Sequence, residues 1–362
     1  SDSISWRIFC RLNLDDAVPA PSTLSKITTR CGEEAVRGLN EALLARADAA
    51  KLVKTGKVRA DTTVVSANVE YPTDSGLLAR AVTRIGKLVG RLKAAGGATR
   101  TVFRDASEAA ATMVHAIGAK LKLRTAQAKE EAQATVLRLT GELADLAEQA
   151  IADVGAVLDN ARRALAKVVG RERGKLRKAI TELSTMVIRA AKVVAQTRQR
   201  LAGAKVDSAT RLVSLHDPDA RPIVKGRLGK PVEFGYKAQV VDNEDGLVLD
   251  YDVKIGNPAD ADQLAPAIRG IRTRFGRTPE KVTADRGYGE ADVDRELEEL
   301  GVQTVVIPRK GKPGRARQQV EHSPGFRDLV TWRTGSEGRI SHLDVVSTEV
   351  GDAADGWFAT EC

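Results

Sequence analysis

Hydrophobic positions recur with a helical period through much of the first half of the chain. Val36, Leu39, Leu43 and Leu44 follow one another at intervals of three or four and predict an amphipathic helix from about residue 33 to 52. From residue 77 to 203 the sequence contains no proline and is rich in Ala, Leu, Arg, Lys and Glu. This composition, broken chiefly at glycines, predicts a long run of helices.

A different pattern flanks this helical run on both sides. Residues 57–69 are dense in β-branched side chains and predict a strand. Beyond residue 205, strands are predicted at 233–242 and 246–253, joined by a turn, with further strands at 281–285 and 303–308. Helices are predicted at 261–275 and 290–300 between them. Without the helical run, this order matches a ribonuclease-H-like mixed α/β sheet.

The predicted fold is therefore an α/β protein with a ribonuclease-H-like mixed sheet, a large all-helical insertion and a small N-terminal helical region. We assign residues 1–55 to the N-terminal helical region, which is either a remnant of a DNA-binding helix-turn-helix or a plain helical subdomain. Residues 56–76 and 206–343 form the predicted catalytic domain, residues 77–205 the insertion and residues 344–362 an acidic tail.

Two aspartates carry the candidate chemistry. Asp285 ends a short apolar run and is followed by a Gly-x-Gly turn, and Asp61 lies inside the first apolar strand. In the predicted fold these two strands are neighbours, which would bring the carboxylates together. Two close carboxylates repel each other, and a divalent cation allows both to stay ionised. The alternative for Asp61 is an aspartate on an exposed strand edge.

Glu337 is the best candidate for a third acid. The alternative interpretation of Glu337 is a surface glutamate in a loop. Carboxylate oxygens with few histidines favour Mg²⁺ or Mn²⁺ over zinc. Asp250, Asp252, Asp260 and Asp262 are interpreted as turn and cap residues.

Basic residues suggest a polyanionic partner. The chain carries a formal net charge of +9, which favours nucleic acid. One helix face presents Arg80, Arg84, Lys87 and Arg91, and a glycine-containing loop presents Lys310, Lys312 and Arg315. Both sets are predicted to contact DNA phosphates; the alternatives are a solvated helix face and a solvated linker.

Several stretches together resemble the DDE transposases of bacterial insertion sequences, in particular those with a long helical insertion after the first catalytic strand. The stretches are Asp2–Trp6, Asp61–Val65, Tyr71–Leu78, Ser214–Pro222, Glu233–Lys237, Ala284–Tyr288 and Arg333–Ile340. The resemblance implies a DNA transposase that hydrolyses phosphodiester bonds and transfers strands at transposon ends. It also implies that Asp61, Asp285 and Glu337 bind the metal and that Arg333 contacts the DNA backbone.

The chain departs from the family pattern at its end. Related transposases commonly carry a lysine seven residues after the glutamate, where this chain has Asp344, and residues 344–362 contain no lysine or arginine. We therefore expect a frameshifted C-terminus and, since the family extends further upstream, a truncated N-terminus. The alternative function is an inactive transposase remnant that only binds DNA or self-associates.

The remaining expectations concern location and assembly. The sequence contains neither a signal peptide nor an apolar run long enough to span a membrane, and its three cysteines support neither a disulfide framework nor a zinc ribbon. A cytoplasmic protein without membrane contact is predicted. Its predicted partner is double-stranded DNA, and family behaviour suggests a homodimer on paired DNA ends.

Overall fold

The chain divides into two compact units. The computed structural model describes residue 7 and residues 11–13, 15–18, 20–67, 69, 73–122, 126–224 and 232–335. The sheet unit comprises the described parts of Ser1–Ser66, Lys237–Lys254 and Pro258–Cys362. The helical unit comprises the described parts of Ala67–Tyr236 and Ile255–Asn257.

The helices and strands of the described residues follow in chain order. The helices are α1 (Pro21–Ala49), α2 (Asp74–Ala94), α3 (Ser107–Leu121), α4 (Ala126–Leu165), α5 (Gly170–Leu201), α6 (Ala261–Phe275), α7 (Ala291–Glu299), α8 (Arg315–Glu321) and α9, described over residues 324–335. The strands are β1 (Lys57–Ser66), β2 (Arg221–Val224), β3 (Val232–Asn243), β4 (Val248–Ile255), β5 (Lys281–Ala284) and β6 (Thr304–Val306).

The strands form a mixed sheet in the order β2-β3-β1-β5-β6, with β4 also paired to β3. The predicted hairpin is present, since β3 and β4 pair antiparallel. β1, β5 and β6 run parallel to one another. The order β4-β3-β1-β5-β6 is that of the ribonuclease-H-like sheet, so the predicted fold class is confirmed. β2, which the sequence pattern did not predict, adds a short strand to the first residues of β3.

The core of the sheet unit lies between the parallel strands and the helices α6 and α7. Val58, Ala60, Val282 and Ala284 of the central strands are almost fully buried, and Leu264, Ile268 and Ile271 of α6 pack in the same cluster. The predicted limits of α6 are those observed, because an apolar face of period 3.6 ends at Gly276, which adopts a left-handed conformation with φ of 68°.

The predicted apolar face of α1 does not face the core. Leu44 is buried, but Val36, Leu39 and Leu43 are exposed, so this prediction is wrong for three of its four residues. Helix α1 contacts the cluster of the sheet unit only through Leu44 and Ala47. A kink at Gly32, with φ of 83°, separates its two halves.

The helical unit is built on heptad spacings. Leu78, Ile85 and Leu92 of α2 are fully buried, as are Leu176, Leu183 and Ala190 of α5. A spacing of seven residues keeps these side chains on one stripe of each helix, where α2 and α5 pack against each other and against α4. Thr73 caps α2 by accepting a hydrogen bond from the Gly76 amide. Among the described helices, none combines the length and the hydropathy that crossing a bilayer requires.

The turns after β5 and β6 are packed backbone to backbone. The amide of Lys310 donates a hydrogen bond of 2.8 Å to the carbonyl oxygen of Gly289. A Cβ at position 289 would lie 2.0 Å from the carbonyl oxygen of Pro308. This approach requires glycine, because neither backbone can move away without breaking the bond.

Replacing Gly289 with alanine is expected to destabilise the sheet unit by about 3 kcal/mol, the upper end of the cost of overpacking. The measurement is denaturant unfolding followed by circular dichroism. The control is Gly325→Ala, since Gly325 is exposed in α9 and a Cβ there would contact nothing within 4 Å. The control is expected to keep or gain stability. Equal stability of the two variants would contradict the close approach.

Candidate active site

The parallel strands β1 and β5 bring Asp61 and Asp285 to one end of the sheet. Their register runs from Lys57 opposite Lys281 to Ala60 opposite Ala284. Asp61 and Asp285 are the next residue on each strand. The predicted adjacency of these two strands is therefore confirmed, and it rests on backbone pairing that fixes both carboxylates before any ligand binds. Whether the two aspartates perform catalysis stays a prediction.

A tight turn orients the Asp285 side chain. A single turn of 3₁₀-helix, Arg286–Tyr288, follows directly, and Asp285 Oδ1 accepts a hydrogen bond of 2.7 Å from the Gly287 amide. Tyr288 is fully buried, and its hydroxyl donates to Gln239 Oε1 at 3.1 Å. Burial raises the pKa of the Tyr288 hydroxyl well above its ordinary value, with the nearby aspartates adding to the effect. Tyr288 is thus a neutral support beneath the turn.

Asp260 is a carboxylate of this site that the sequence interpretation missed. A Cβ on Gly287 would lie 2.6 Å from Asp260 Oδ2 and 2.9 Å from Asp285 Oδ1, so both carboxylates flank this glycine. Asp260 precedes α6 but makes no side-chain cap hydrogen bond to it. Its interpretation as a cap residue is therefore wrong. Only the tertiary structure identifies its position, because an aspartate before a helix is the ordinary signal of a cap.

Lys237 balances the charge of Asp260. Its Nζ lies 2.6 Å from Asp260 Oδ1 and donates a hydrogen bond of 2.7 Å to the Pro258 carbonyl oxygen. Lys237 is buried in β3. The sequence signal for this pair is weak, because β3 also contains other polar residues such as Gln239 and Asp242. Once the lysine is known to be buried, its ammonium group requires a partner.

The ionised form of Asp285 is disfavoured in this setting. Burial raises the pKa of the Asp285 carboxyl above its ordinary value, and the negative charge of Asp260 raises it further. The Gly287 amide and the Arg333 guanidinium act in the opposite direction, but the net pKa is raised. A cation placed between Asp61 and Asp285 would reverse this balance.

Arg333 supplies one such positive charge. It lies on α9, and its Nη1 is 3.3 Å from Asp61 Oδ2, with both side chains only 13% exposed. Its Nε is buried and donates to no residue that the structure describes. The Arg333 guanidinium, which is predicted to contact DNA, therefore pairs with Asp61 through Nη1. Its Nε–H is left as a donor without an acceptor among the described residues.

A buried ion pair holds α9 in place. Arg59 Nε and Nη2 lie 2.9 and 2.8 Å from the two oxygens of Asp242, and both side chains are almost fully buried. The remaining nitrogen, Arg59 Nη1, donates a hydrogen bond of 2.7 Å to the carbonyl oxygen of Trp332. Lys57 and Arg59 both lie over the Trp332 ring, at 4.0 and 4.7 Å from its centroid. These contacts fix the residue that precedes Arg333.

The other predicted site residues lie elsewhere or outside the described ranges. Glu337 belongs to residues 336–362, which the structure does not describe, as does the tail that begins at Asp344. Across the ranges that are described, no group of three or more His, Cys, Asp or Glu side chains is arranged to hold a metal ion. Asp61 and Asp285 would therefore need a further ligand.

The predicted DNA-binding residues occupy two surfaces. Lys310, Lys312 and Arg315 are exposed near the start of α8, and Lys310 forms a surface pair of 3.1 Å with Glu290. Arg80, Arg84, Lys87 and Arg91 lie on α2 in the helical unit, and three of them are exposed while Arg84 is half-buried.

Removing one charge of the Arg59–Asp242 pair is expected to destabilise the protein. Asp242→Asn leaves a buried guanidinium without its counter-charge, and we expect a loss of about 3 to 5 kcal/mol in denaturant unfolding. Amide hydrogen exchange of residues 324–335 should also accelerate. In the control Arg295→Gln, an exposed pair with Asp292 is broken and the change should stay within about 0.5 kcal/mol. Unchanged exchange in α9 would contradict the proposed anchoring.

The raised pKa of Asp285 predicts that its charge opposes folding when no metal is bound. Stability is gained below the unfolded-state pKa of about 3.9 and lost as pH rises through the higher folded-state pKa. Asp285→Asn, measured with a chelator, should therefore melt above the wild type at pH 7, and the difference should shrink on acidification. The control Asp252→Asn, at a partly exposed surface ion pair with Lys254, should not shift the melting temperature. A lower melting temperature of Asp285→Asn at pH 7 would contradict the prediction.

Comparison with known proteins agrees with this arrangement. Residues 206–339 match the family model described as Transposase DDE domain. A search of curated proteins and a search of solved structures each found no match. The matched residues contain β3, β5, the turn at Asp285 and α9, and extend past Glu337. Residues 206–339 are therefore similar to a transposase DDE domain, and this match supports the resemblance to the DDE transposases of insertion sequences.

Proposed function

We propose that this chain is a transposase that cuts and joins phosphodiester bonds of DNA at transposon ends, with Asp61, Asp285 and Glu337 as its metal-binding residues. The family match implies a DNA substrate and a transposase-type enzyme. The observation that carries the proposal for this chain is the register of β1 and β5, which sets Asp61 beside Asp285 at the carboxyl end of β5.

The donor set suits Mg²⁺ or Mn²⁺. Asp61 and Asp285 offer only carboxylate oxygens, which these hard cations prefer. Glu337, two residues beyond the described part of α9, is the proposed further ligand. When bound, the metal would activate water or a 3′-hydroxyl group for attack and stabilise the leaving oxygen of the phosphodiester.

Arg333 is proposed to position the DNA backbone. In this structure its Nη1 lies on Asp61, while its Nε is buried without an acceptor among the described residues. A phosphate oxygen could satisfy that donor, and a metal ion on Asp61 would release the guanidinium from its present partner. The buried contact of Arg59 with the Trp332 carbonyl oxygen limits how far this arginine can move.

Lys237 and Asp260 are proposed to support the Asp285 turn. Asp260 lies against Gly287, and Lys237 holds its charge in place at 2.6 Å. An ion pair at this position keeps a second negative charge beside Asp285 without leaving it uncompensated. Asp260 thereby adds to the negative potential around Asp285, at the carboxyl end of β5.

Binding to double-stranded DNA is proposed for the basic surfaces as well. Lys310 pairs with Glu290 at the surface, where an ion pair contributes little and a phosphate can replace the carboxylate. Lys312 and Arg315 extend this surface. Assembly as a homodimer on paired DNA ends and a location in the cytoplasm stay predictions.

The alternative is a chain that binds DNA or self-associates without cutting. It would retain the sheet and the basic surfaces but not the chemistry of the carboxylates. The absence of lysine and arginine from residues 344–362 is the sequence observation that favours it. An assay of DNA nicking separates the two functions.

Nicking of supercoiled plasmid in Mn²⁺ tests the proposal. We expect nicking by the wild type and a loss of at least about a hundredfold in Asp61→Asn, Asp285→Asn and Glu337→Gln, beyond the effect of changing a supporting residue. The asparagine and glutamine variants keep the size of each side chain and remove one charge.

The matched control is Asp252→Asn, which changes a partly exposed aspartate paired with Lys254 on β4. It should nick like the wild type. Equal nicking by wild type and Asp285→Asn would reject these carboxylates as the catalytic centre. If the wild type and all the variants bind the plasmid but none of them nicks it, the alternative function is supported.

A further inference from the structure

A cavity of about 650 Å³ opens within the helical unit. One face of α2 forms its floor over residues 73–87, α3 contributes Ala111, Val114 and His115, and the segment 213–216 completes the wall. Its volume falls in the range of ordinary ligand sites. The cavity lies outside the candidate active site, so its chemistry requires a separate explanation.

The cavity is lined by three cations at helical spacing. Arg80, Arg84 and Lys87 follow one another at intervals of four and three residues on the cavity face of α2. None of the described lining residues is acidic, and His115 and His216 are the other titratable groups. Such a surface has a positive potential and attracts anions.

Arg84 has a hydrogen-bond donor, Nε–H, that a ligand in the cavity could satisfy. Its Nε is buried and donates a hydrogen bond to no residue in the described ranges. A buried donor without an acceptor costs free energy, and an acceptor that enters the cavity recovers it. Neither Arg84 nor Lys87 forms an ion pair with a described residue.

Other cations of the helical unit are used differently. Arg198 pairs with Glu148, at 3.1 Å, and with Asp145, and Arg200 pairs with Asp74 at 2.6 Å. Lys175 pairs with Glu172 at 2.8 Å. Acids are therefore present in this unit, but none of the described acids lines the cavity. A solvated or self-neutralised helix face would not concentrate charge in this way.

We propose that this cavity binds phosphates of the DNA backbone, with Arg84 and Lys87 as the main contacts. Arg80 and Lys87 are about 10 Å apart along the helix axis, at 1.5 Å per residue. The phosphates of one DNA strand rise by about 3.4 Å each, so the stripe spans about three of them. The choice of DNA as the polyanion rests on the proposed function, whereas the phosphate chemistry follows from the cavity itself.

The test compares two cavity cations with one on the same helix. Arg84→Gln and Lys87→Gln each remove a lining charge, and Lys93→Gln removes a charge of α2 that lies outside the cavity lining. Binding of a 30-base-pair duplex is measured by fluorescence anisotropy in EDTA across a series of NaCl concentrations. The cavity variants should each weaken binding about tenfold near 0.1 M salt and lower the salt slope by about one. Lys93→Gln should change the affinity less than about twofold.

A second pair of variants keeps every charge. Ala111→Trp fills the cavity from α3, whereas Ala109→Trp places the same ring on an exposed position of that helix outside the lining. Only Ala111→Trp should weaken DNA binding. Circular dichroism melting of all variants separates loss of binding from loss of folding.

The outcomes distinguish this proposal from the proposed function. Equal losses in Arg84→Gln and Lys93→Gln, or full binding by Ala111→Trp, would overturn the cavity as a DNA site. If pyrophosphate raises the melting temperature of the wild type but not of Arg84→Gln, while Arg84→Gln binds DNA normally, the cavity takes a small phosphate compound and the DNA assignment is wrong. None of these measurements depends on the carboxylates, because EDTA removes the divalent metal.

Discussion

The parallel pairing of β1 with β5 is the constraint on which the candidate active site depends. Four consecutive residue pairs set the register, and a shift of one strand by a single residue would turn its aspartate to the opposite face of the sheet, away from the other aspartate. The apolar side chains of Val58, Ala60, Val282 and Ala284 oppose such a shift, because it would remove them from the core. The position of the carboxylates is thus a by-product of burying their neighbours.

Three largely buried carboxylates of the sheet unit are each paired with a cation. Asp242 is matched by Arg59, Asp260 by Lys237 and Asp61 by Arg333, and each pair is largely shielded from water. Asp285 differs, since the positive charge nearest to it only partly offsets its burial. An uncompensated carboxylate among compensated ones is a feature of sites that bind or react, because structure alone gives no reason to keep it.

Local pattern was sufficient to predict most elements but not every contact. The limits of α6 and the β3–β4 hairpin followed from period and turn residues, and the neighbouring positions of β1 and β5 followed from the order of elements. Asp260 could not be predicted, because its role depends on a glycine 27 residues later that leaves room for its carboxylate. The stripe of α1 misled for a similar reason, since periodicity shows that a face is apolar but not what covers it.

The helical unit interrupts the sheet unit in sequence, since β1 ends at Ser66 and the next strand portion of the sheet unit starts at Lys237. A disordered connection of that length would impose an entropic penalty on pairing the two strand regions. The helices of the insertion form from contacts close in sequence, which is the fast class of folding event. Helices that form early would shorten the effective connection and lower this entropic penalty for the sheet that the insertion divides.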